Sequence, residues 1–406
     1  MTKSSPQEAK LVPDILRNDL CAGCGGCSVI APHAYKMEMS SDGFLRPVNI
    51  GQVSTEVENE IAQICPGLGQ SLSLNERSSD PLWGPCTDVC SGWSTDRQMR
   101  HRASSGGALS AILKYLLETK YVDRVVQTAE NPDHPVANMA VLSSTTEQIL
   151  ISSGSRYAPS APLTALITDL DRSQKHAFVG KPCDIAALKV MMDRDAELSK
   201  AIPITLSFFC AGVPSELGAF EILDTMGLNP NDVVSFRYRG MGWPGHATAT
   251  LKDGTTSQMS YHDSWGGILS KKVQHRCKIC ADSVGSAADI VCADAWHCDE
   301  NGYPLFTEAE GVSLIISRTA RGQSSLAEAT AAGYLQTERF PIADVASMQP
   351  GQVRKKSAVA ARLFALRLMG YRTPRYRGLQ VLRAAFFSSP VELIRNFLGM
   401  IRRRPR

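Results

Sequence analysis

Nowhere in this chain of 406 residues do about eighteen apolar residues run together unbroken, so no membrane-spanning helix is expected. The opening MTKSSPQEAK is polar and has no apolar signal core, which sets the expectation of a cytoplasmic protein rather than an exported one. No G-x-G-x-x-G follows a strand-like run, so a Rossmann dinucleotide site has no support. Internal repeats and low-complexity tracts are missing too. Acid is nearly absent from the end of the chain: residues 351–406 hold 14 Lys/Arg and one acid, Glu392. The tail thus carries +13 and the rest −10 of a net +3. A basic tail on an acidic body suits an anionic surface or an acidic partner. No recognition motif accompanies that charge, so nucleic acid is not expected as a partner. Otherwise the chain, 43 % hydrophobic and 20 % charged, has a globular composition and the length for two or three domains.

Twelve cysteines without an export signal point to metal or redox use rather than disulfides. Cys21, Cys24 and Cys27, in CAGCGGCSVIAP, stand at the C-x2-C-x2-C spacing that wraps three thiolates around a [4Fe–4S] cube. In bacterial ferredoxins a fourth cysteine follows before a proline. Here that slot is Ala31, with Pro32 kept, so a later thiolate is needed. Cys65-Pro66 is the natural donor. Gly23, Gly25 and Gly26 supply the backbone room such a loop requires. Zinc favours separated C-x2-C pairs and is the weaker reading of this group.

Cys277 and Cys280 form a second C-x2-C pair, and four other cysteines compete to complete it. Cys183 (GKPCD) and Cys210 (FFCAG) each sit where a strand ends, and neighbouring strand ends lie about 5 Å apart. Cys292 reads as a packed small hydrophobe within a strand, and Cys298 is a reserve ligand. On spacing alone this site is a cluster or zinc. The ferredoxin-like loop in the same chain tilts it towards a second [4Fe–4S]. Cys86 and Cys90, with three residues between them, read as ordinary thiols.

The body alternates strands and helices. ALSAILKYLLE (108–118) has apolar positions at helical spacing. AFVG followed by 184–192 reads as strand, turn and helix. AIPITLSFFCAG, ADIVCADAW and GVSLIISRT read as strands. Ser104-Ser105-Gly106-Gly107 stands at a helix start, with either serine a ready N-cap and the glycines exposing amides that suit a phosphate. SGSRYAPS offers Arg156 and Tyr157 to grip a phosphate and stack on a ring. A plain capped helix and an exposed loop are the bland readings of these two stretches.

SSGGALSAILKYLLE, SGSRYAPS, VGKPCDIAALK, FFCAGVPS, FRYRGMGWPG and HRCKICADSVGSAADIVCADAW occur in an order that resembles the coenzyme F420 hydrogenase/dehydrogenase beta-subunit family over about residues 84–318. The family includes chlorophyll-derivative reductases. The CAGCGGC…CP loop is similar to a ferredoxin-like extension of many members, and the tail with YRTPRYRG resembles members encoded near exopolysaccharide genes. The resemblance implies an FAD enzyme with two [4Fe–4S] clusters. FAD phosphates would lie at Ser104, Ser105, Gly106 and Gly107. Gly154, Ser155, Arg156, Tyr157 and Lys181 would flank the flavin. The second cluster would use Cys183, Cys210, Cys277 and Cys280. Electrons from ferredoxin or a similar donor would reach an organic small-molecule substrate. His246, His262 and Asp263 are the candidate general acids, near Trp243, Tyr261 and Trp265, although a structural or solvent-facing role is the plainer reading of each.

The expected fold is α+β or α/β. A ferredoxin-like iron–sulfur module (1–80) precedes a mixed-sheet flavin-binding body (84–165 and 166–335) and a basic helical tail (336–406). Val391, Ile394, Phe397, Leu398 and Ile401 lie along one face of a tail helix. That helix either packs on the body or lies on an anionic membrane surface, which would make the protein peripheral to the inner membrane face. Two other functions stand beside the reductase: a non-catalytic electron-transfer subunit, and a zinc-stabilised scaffold for polysaccharide assembly.

Overall fold

The computed structural model describes residues 10–72, 80–296, 298–299, 305 and 307–403. The stretch from Leu72 to Pro81, polar and linker-like in sequence, lies mostly outside them. Among the described residues the centre is an eight-stranded mixed sheet. In chain order its strands are β1 (Asp88–Ser94), β2 (Arg124–Asn131), β3 (His134–Ser143), β4 (His176–Val179), β5 (Ile204–Phe208), β6 (Ile290–Asp294), β7 (Ser313–Ser317) and β8 (Leu335–Arg339). They lie side by side as β8-β1-β7-β6-β5-β4-β2-β3. The inner run β6, β5, β4 and β2 is parallel; the outer pairings are antiparallel.

Parallel strands are covered on both faces, so their central residues are mostly apolar. Successive side chains point to opposite faces. Val125, Ala177, Ile204, Leu206 and Ile290 meet helix α1 (Ala108–Glu118) on one side. Val126, Phe178 and Val291 meet helix α2 (Pro182–Arg194) on the other. In α1, Ile112, Leu113 and Leu116 are fully buried, a contribution of about 1.5–3 kcal/mol each. The expected boundary at 165/166 falls between strands of this one sheet.

The N-terminal module has its own small core of Val12, Ala31, Tyr35, Val53 and Ile61, and a hairpin of Tyr35–Met39 with Leu45–Asn49. The strand Gly69–Ser71 pairs in parallel with Arg375–Arg377 from the far end of the chain. The tail helices are α3 (Pro350–Ser357), α4 (Val359–Leu368), α5 (Val381–Ala385) and α6 (Pro390–Arg402). A shared core joins Ile15 and Leu20 to Val359, Leu363, Leu366 and Met400. Sequence distance concealed that union of the two ends. No helix among the described residues is long and apolar enough to cross a membrane.

Asp289 pins sheet to helices. It accepts from Thr205 N at 2.9 Å, Thr205 Oγ1 at 2.7 Å and Thr319 Oγ1 at 2.8 Å, and pairs with Lys189 of α2 at 3.3 Å. Burial opposes its charge, but Lys189 and the Thr205 bonds outweigh it and hold the carboxyl below its ordinary range. Its stabilisation is therefore complete above the ordinary carboxylate pKa of about 4 and is lost as pH falls through the lowered value. Asp289→Ala should cost about 3 kcal/mol and flatten the acid limb of stability, read by urea unfolding between neutral and acid pH.

Candidate functional site

The first cysteine set folds as a tight loop. Gly23 and Gly25 take φ of +72° and +87°, the left-handed region where a side chain is strained. The Gly23 amide donates to Cys21 Sγ at 3.4 Å. Cys65 arrives from another element, as the C-cap of the helix Thr55–Ile64, and a Cβ on Gly67 would stand 3.3 Å from its sulfur. Burial raises all four thiols, Cys65 to about 11. Neighbouring thiols raise them further: Cys65 and Cys27 act on Cys24, Cys21 and Cys65 on Cys27, and Cys21 on Cys65. The four are electrostatic neighbours although 44 residues separate the first from the last.

The second set forms at strand ends. Cys183 begins α2 just after β4, Cys210 follows β5, Cys277 stands in the helical turn His275–Lys278, and Cys280 follows that turn. Burial raises Cys183 first, Asp184 next, and Cys210 and Cys277 add to it; Cys277 and Cys280 likewise raise Cys210 after burial. The Val213 amide donates to Cys277 Sγ at 3.4 Å. Among the described residues no three His, Cys, Asp or Glu side chains are grouped so as to hold a metal ion. Cys292 is buried beside Cys90 in β6 and β1, as a packed thiol.

The two sets adjoin. Gln274 Nε2 reaches both Ala22 O, between Cys21 and Cys24, and Cys277 Sγ, each at 3.4 Å. Arg276 is buried (2 % exposed) and donates from Nη2 to Pro66 O at 2.6 Å, beside Cys65. Its Nε has no hydrogen-bond partner. Burial opposes its charge, while Tyr376 and the thiols of Cys280, Cys183 and Cys277 support it.

A cavity of about 310 Å³ opens on the other side of the second set, at the carboxyl ends of β4, β5 and β6, where ligands of open α/β sheets characteristically bind. Ser104, Ser105, Gly107, Gly154, Ser155, Arg156, Tyr157, Lys181 and Cys210 all line it. Gly106 lies beneath, since a Cβ there would meet Gly92 O and Ser313 N at 2.8 Å. The expected serine N-cap is not what forms. Gly107, at φ +74°, is the N-cap of α1, and no side chain caps that helix. Ser104 instead bonds Ser155 at 2.7 Å, and Ser105 donates to Val312 O at 3.0 Å. The first residues of α1, Ala108, Leu109 and Ser110, line the cavity. Lys181 is buried and bonds Ser160 O at 2.9 Å and Asp184 at 2.8 Å.

Two groups of candidate residues take particular positions. Arg156 does not hold its guanidinium out for a phosphate. It donates to Asn138 Oδ1 at 2.8 Å, Pro135 O at 2.8 Å, Ala137 O at 2.7 Å and Phe236 O, pairs with Glu130 at 3.3 Å, and lies over the Tyr238 ring. It staples β3 to the strand Val233–Arg237. His246, His262 and Asp263 are exposed and line no part of the cavity, and Asp263 accepts from Ser260 Oγ at 2.6 Å. Their neighbours Tyr261 and Trp265 do line it.

Residues 89–168 match the N-terminal model, and residues 173–342 the C-terminal model, of the coenzyme F420 hydrogenase/dehydrogenase beta subunit. The chain belongs to the coenzyme F420 hydrogenase/dehydrogenase beta-subunit family. Coenzyme F420 hydrogenase subunit beta of Methanococcus voltae is 25 % identical over 271 residues, covering 64 % of this chain and 86 % of that one. The F420-dependent formate dehydrogenase 1 subunit beta of Methanococcus maripaludis is 25 % identical over 248 residues; the match spans 60 % of each chain. A chain of the F420-reducing [NiFe] hydrogenase complex from Methanosarcina barkeri shares the fold, with TM-score 0.54 and 21 % identity over 73 % of this chain and 98 % of that one. The second cysteine set and most of the cavity lie within the family segments. The first set, and Gln349 and Gln352 at the cavity, lie outside them.

Arg239, behind the cavity wall, and Gln349 and Gln352, in it, escaped the sequence reading. Arg239, fully buried, holds Asp294 by two bonds of 2.8 Å and lies against the rings of Tyr261 and Trp296, which stack on each other at 5.8 Å. Trp243 stacks on Trp296 at 5.0 Å. A charged residue inside the aromatic-rich FRYRGMGWPG was the available signal. Gln349, at the start of α3, donates to Asp294 O at 2.6 Å, and Gln352 keeps a buried Oε1 with no partner. For Arg156 the assignment as a staple is testable. Arg156→Met should lower stability by about 3 kcal/mol, because three backbone carbonyls lose their donor, while leaving anion binding at α1 unchanged. Urea unfolding and a phosphate titration separate the two effects.

Proposed function

We propose that this chain is an electron-transferring oxidoreductase in which two [4Fe–4S] clusters, on Cys21, Cys24, Cys27 and Cys65 and on Cys183, Cys210, Cys277 and Cys280, serve FAD bound in the 310 Å³ cavity. One observation carries the reading. First set, Gln274, second set and cavity adjoin one after another, with Cys210 in the cavity wall. When bound, such clusters carry single electrons and a flavin converts pairs of them into hydride chemistry. Oxidoreductase subunits among the relatives agree with redox work.

The residues suit these groups. The three-thiolate spacing of Cys21, Cys24 and Cys27 suits a cube better than zinc, which favours separated C-x2-C pairs. A cluster on four thiolates is anionic, which answers the buried Arg276 and its unpartnered Nε. At the cavity the uncapped amides of α1 suit a pyrophosphate. Tyr261, Trp265 and Trp296 line the cavity with aromatic surface, Lys181 supplies a buried positive charge, and Gln352 offers a polar contact. Burial holds the Tyr261 hydroxyl well above its ordinary range, so it keeps its proton and acts as a donor.

Ferredoxin or a similar protein is the proposed donor, and a small organic molecule the acceptor. The tail's resemblance to exopolysaccharide-linked members extends the proposal to a substrate from that biosynthesis. Anaerobically purified protein should contain about eight irons, matching sulfide and about one FAD per chain. Cys24→Ser and Cys277→Ser should each remove roughly half the iron. Zinc without flavin would sink the reading. Arg276→Leu should shift the midpoint potentials of both clusters downward, measured by EPR-monitored titration, because a cation that favours the reduced state is gone.

A further inference from the structure

The tail helices carry an apolar surface that nothing among the described residues covers. On α6, Phe397, Met400 and Ile401 turn inward to the core of α4. Val391, Ile394 and Leu398, at i, i+3 and i+7, turn outward and are exposed. The same division recurs on the neighbouring helices. In α4, Leu363 and Leu366 are buried while Phe364 and Leu368 face out, four residues apart. In α5 and just after it, Ala384 is buried while Leu382 and Phe386 face out, 77 % and 88 % exposed. Three successive helices thus present an outward stripe, and a groove lined by Phe364, Leu382 and Leu393 joins them. Scattered exposed apolar residues need no account, but a contiguous patch of this kind marks a contact surface.

Charge decides what the contact is. Arg367, Arg383, Arg395 and Arg402, all exposed, stand on the same helices, and Glu392 is the only acid in residues 351–406. A protein partner of ordinary composition would leave those arginines unmatched. A surface of anionic phosphates over an apolar layer matches both features: side chains such as Phe386 enter the acyl boundary and the arginines meet headgroups. We propose that helices α4, α5 and α6 form a docking face for an anionic lipid bilayer, holding the protein on the membrane surface without spanning it. The family segments end at residue 342, before this face begins.

The test is vesicle flotation with the full-length protein loaded with its cofactors. Vesicles containing phosphatidylglycerol should carry at least tenfold more protein than pure phosphatidylcholine vesicles, and high salt should release it. Leu382→Ser combined with Phe386→Ser and Ile394→Ser should abolish flotation while leaving the visible spectrum and thermal unfolding unchanged. These side chains are already in water, so folding does not depend on them. Equal binding to both vesicle types, or undiminished flotation of the triple variant, would overturn the proposal. So would a dimer in sedimentation that the same substitutions dissociate, since a second copy would then cover the face.

Discussion

A guanidinium buried without a carboxylate has to be answered by negative charge elsewhere, and Arg276 is such a group. No acid among the described residues lies within ion-pair distance of it, and its nearest electrostatic company is a phenol and the thiols of the second cysteine set. It also holds Pro66, next to Cys65, so the same side chain ties down the last cysteine of the first set. Two residues before it, Gln274 spans from Ala22 to Cys277. The loop 274–280 is therefore the joint on which both sets and their mutual distance depend. A burial this costly persists only where something repays it, and anionic groups held on the cysteines would do so.

The central sheet sets the rest of the layout. Parallel strands bring their carboxyl ends to one edge, and there the chain must turn into helices or loops. Cys183 and Cys210 sit at two such turns, and Asp294 ends a third strand. One edge thus supplies thiols on one side and cavity wall on the other. Arg239 and Asp294 brace the aromatic side of that wall, and α3 closes it by placing Gln349 on the Asp294 carbonyl. A helix beyond the family segments therefore takes part in shaping the cavity.

The tail serves two purposes at once. Its inner faces complete the core begun by Ile15 and Leu20, and its strand Arg375–Arg377 pairs with Gly69–Ser71. These contacts anchor the helices, which frees their outer stripes from any part in folding. That is the condition under which large apolar side chains can remain on a surface: removing them from the core costs stability, whereas these were never in it.

Local pattern alone determined a good part of this protein. Helix α1 spans 108–118 as the spacing indicated, the buried strands follow the apolar runs, and spacing alone picks out Cys21, Cys24 and Cys27 and the pair Cys277 and Cys280. These are properties of neighbouring residues, and neighbouring residues carry them. Tertiary structure decided what depends on partners far away in sequence. Arg156 became a staple because Pro135, Ala137 and Phe236 present carbonyls to it, and His262 and Asp263 face water because Tyr261 and Trp265 took the inward side of their turn. The pairing of the chain's two ends, the placement of Arg276 between the cysteine sets and the exposure of Phe386 are likewise outcomes of packing. A residue's type states which interactions it can make, while only the assembled fold states which of them are still free.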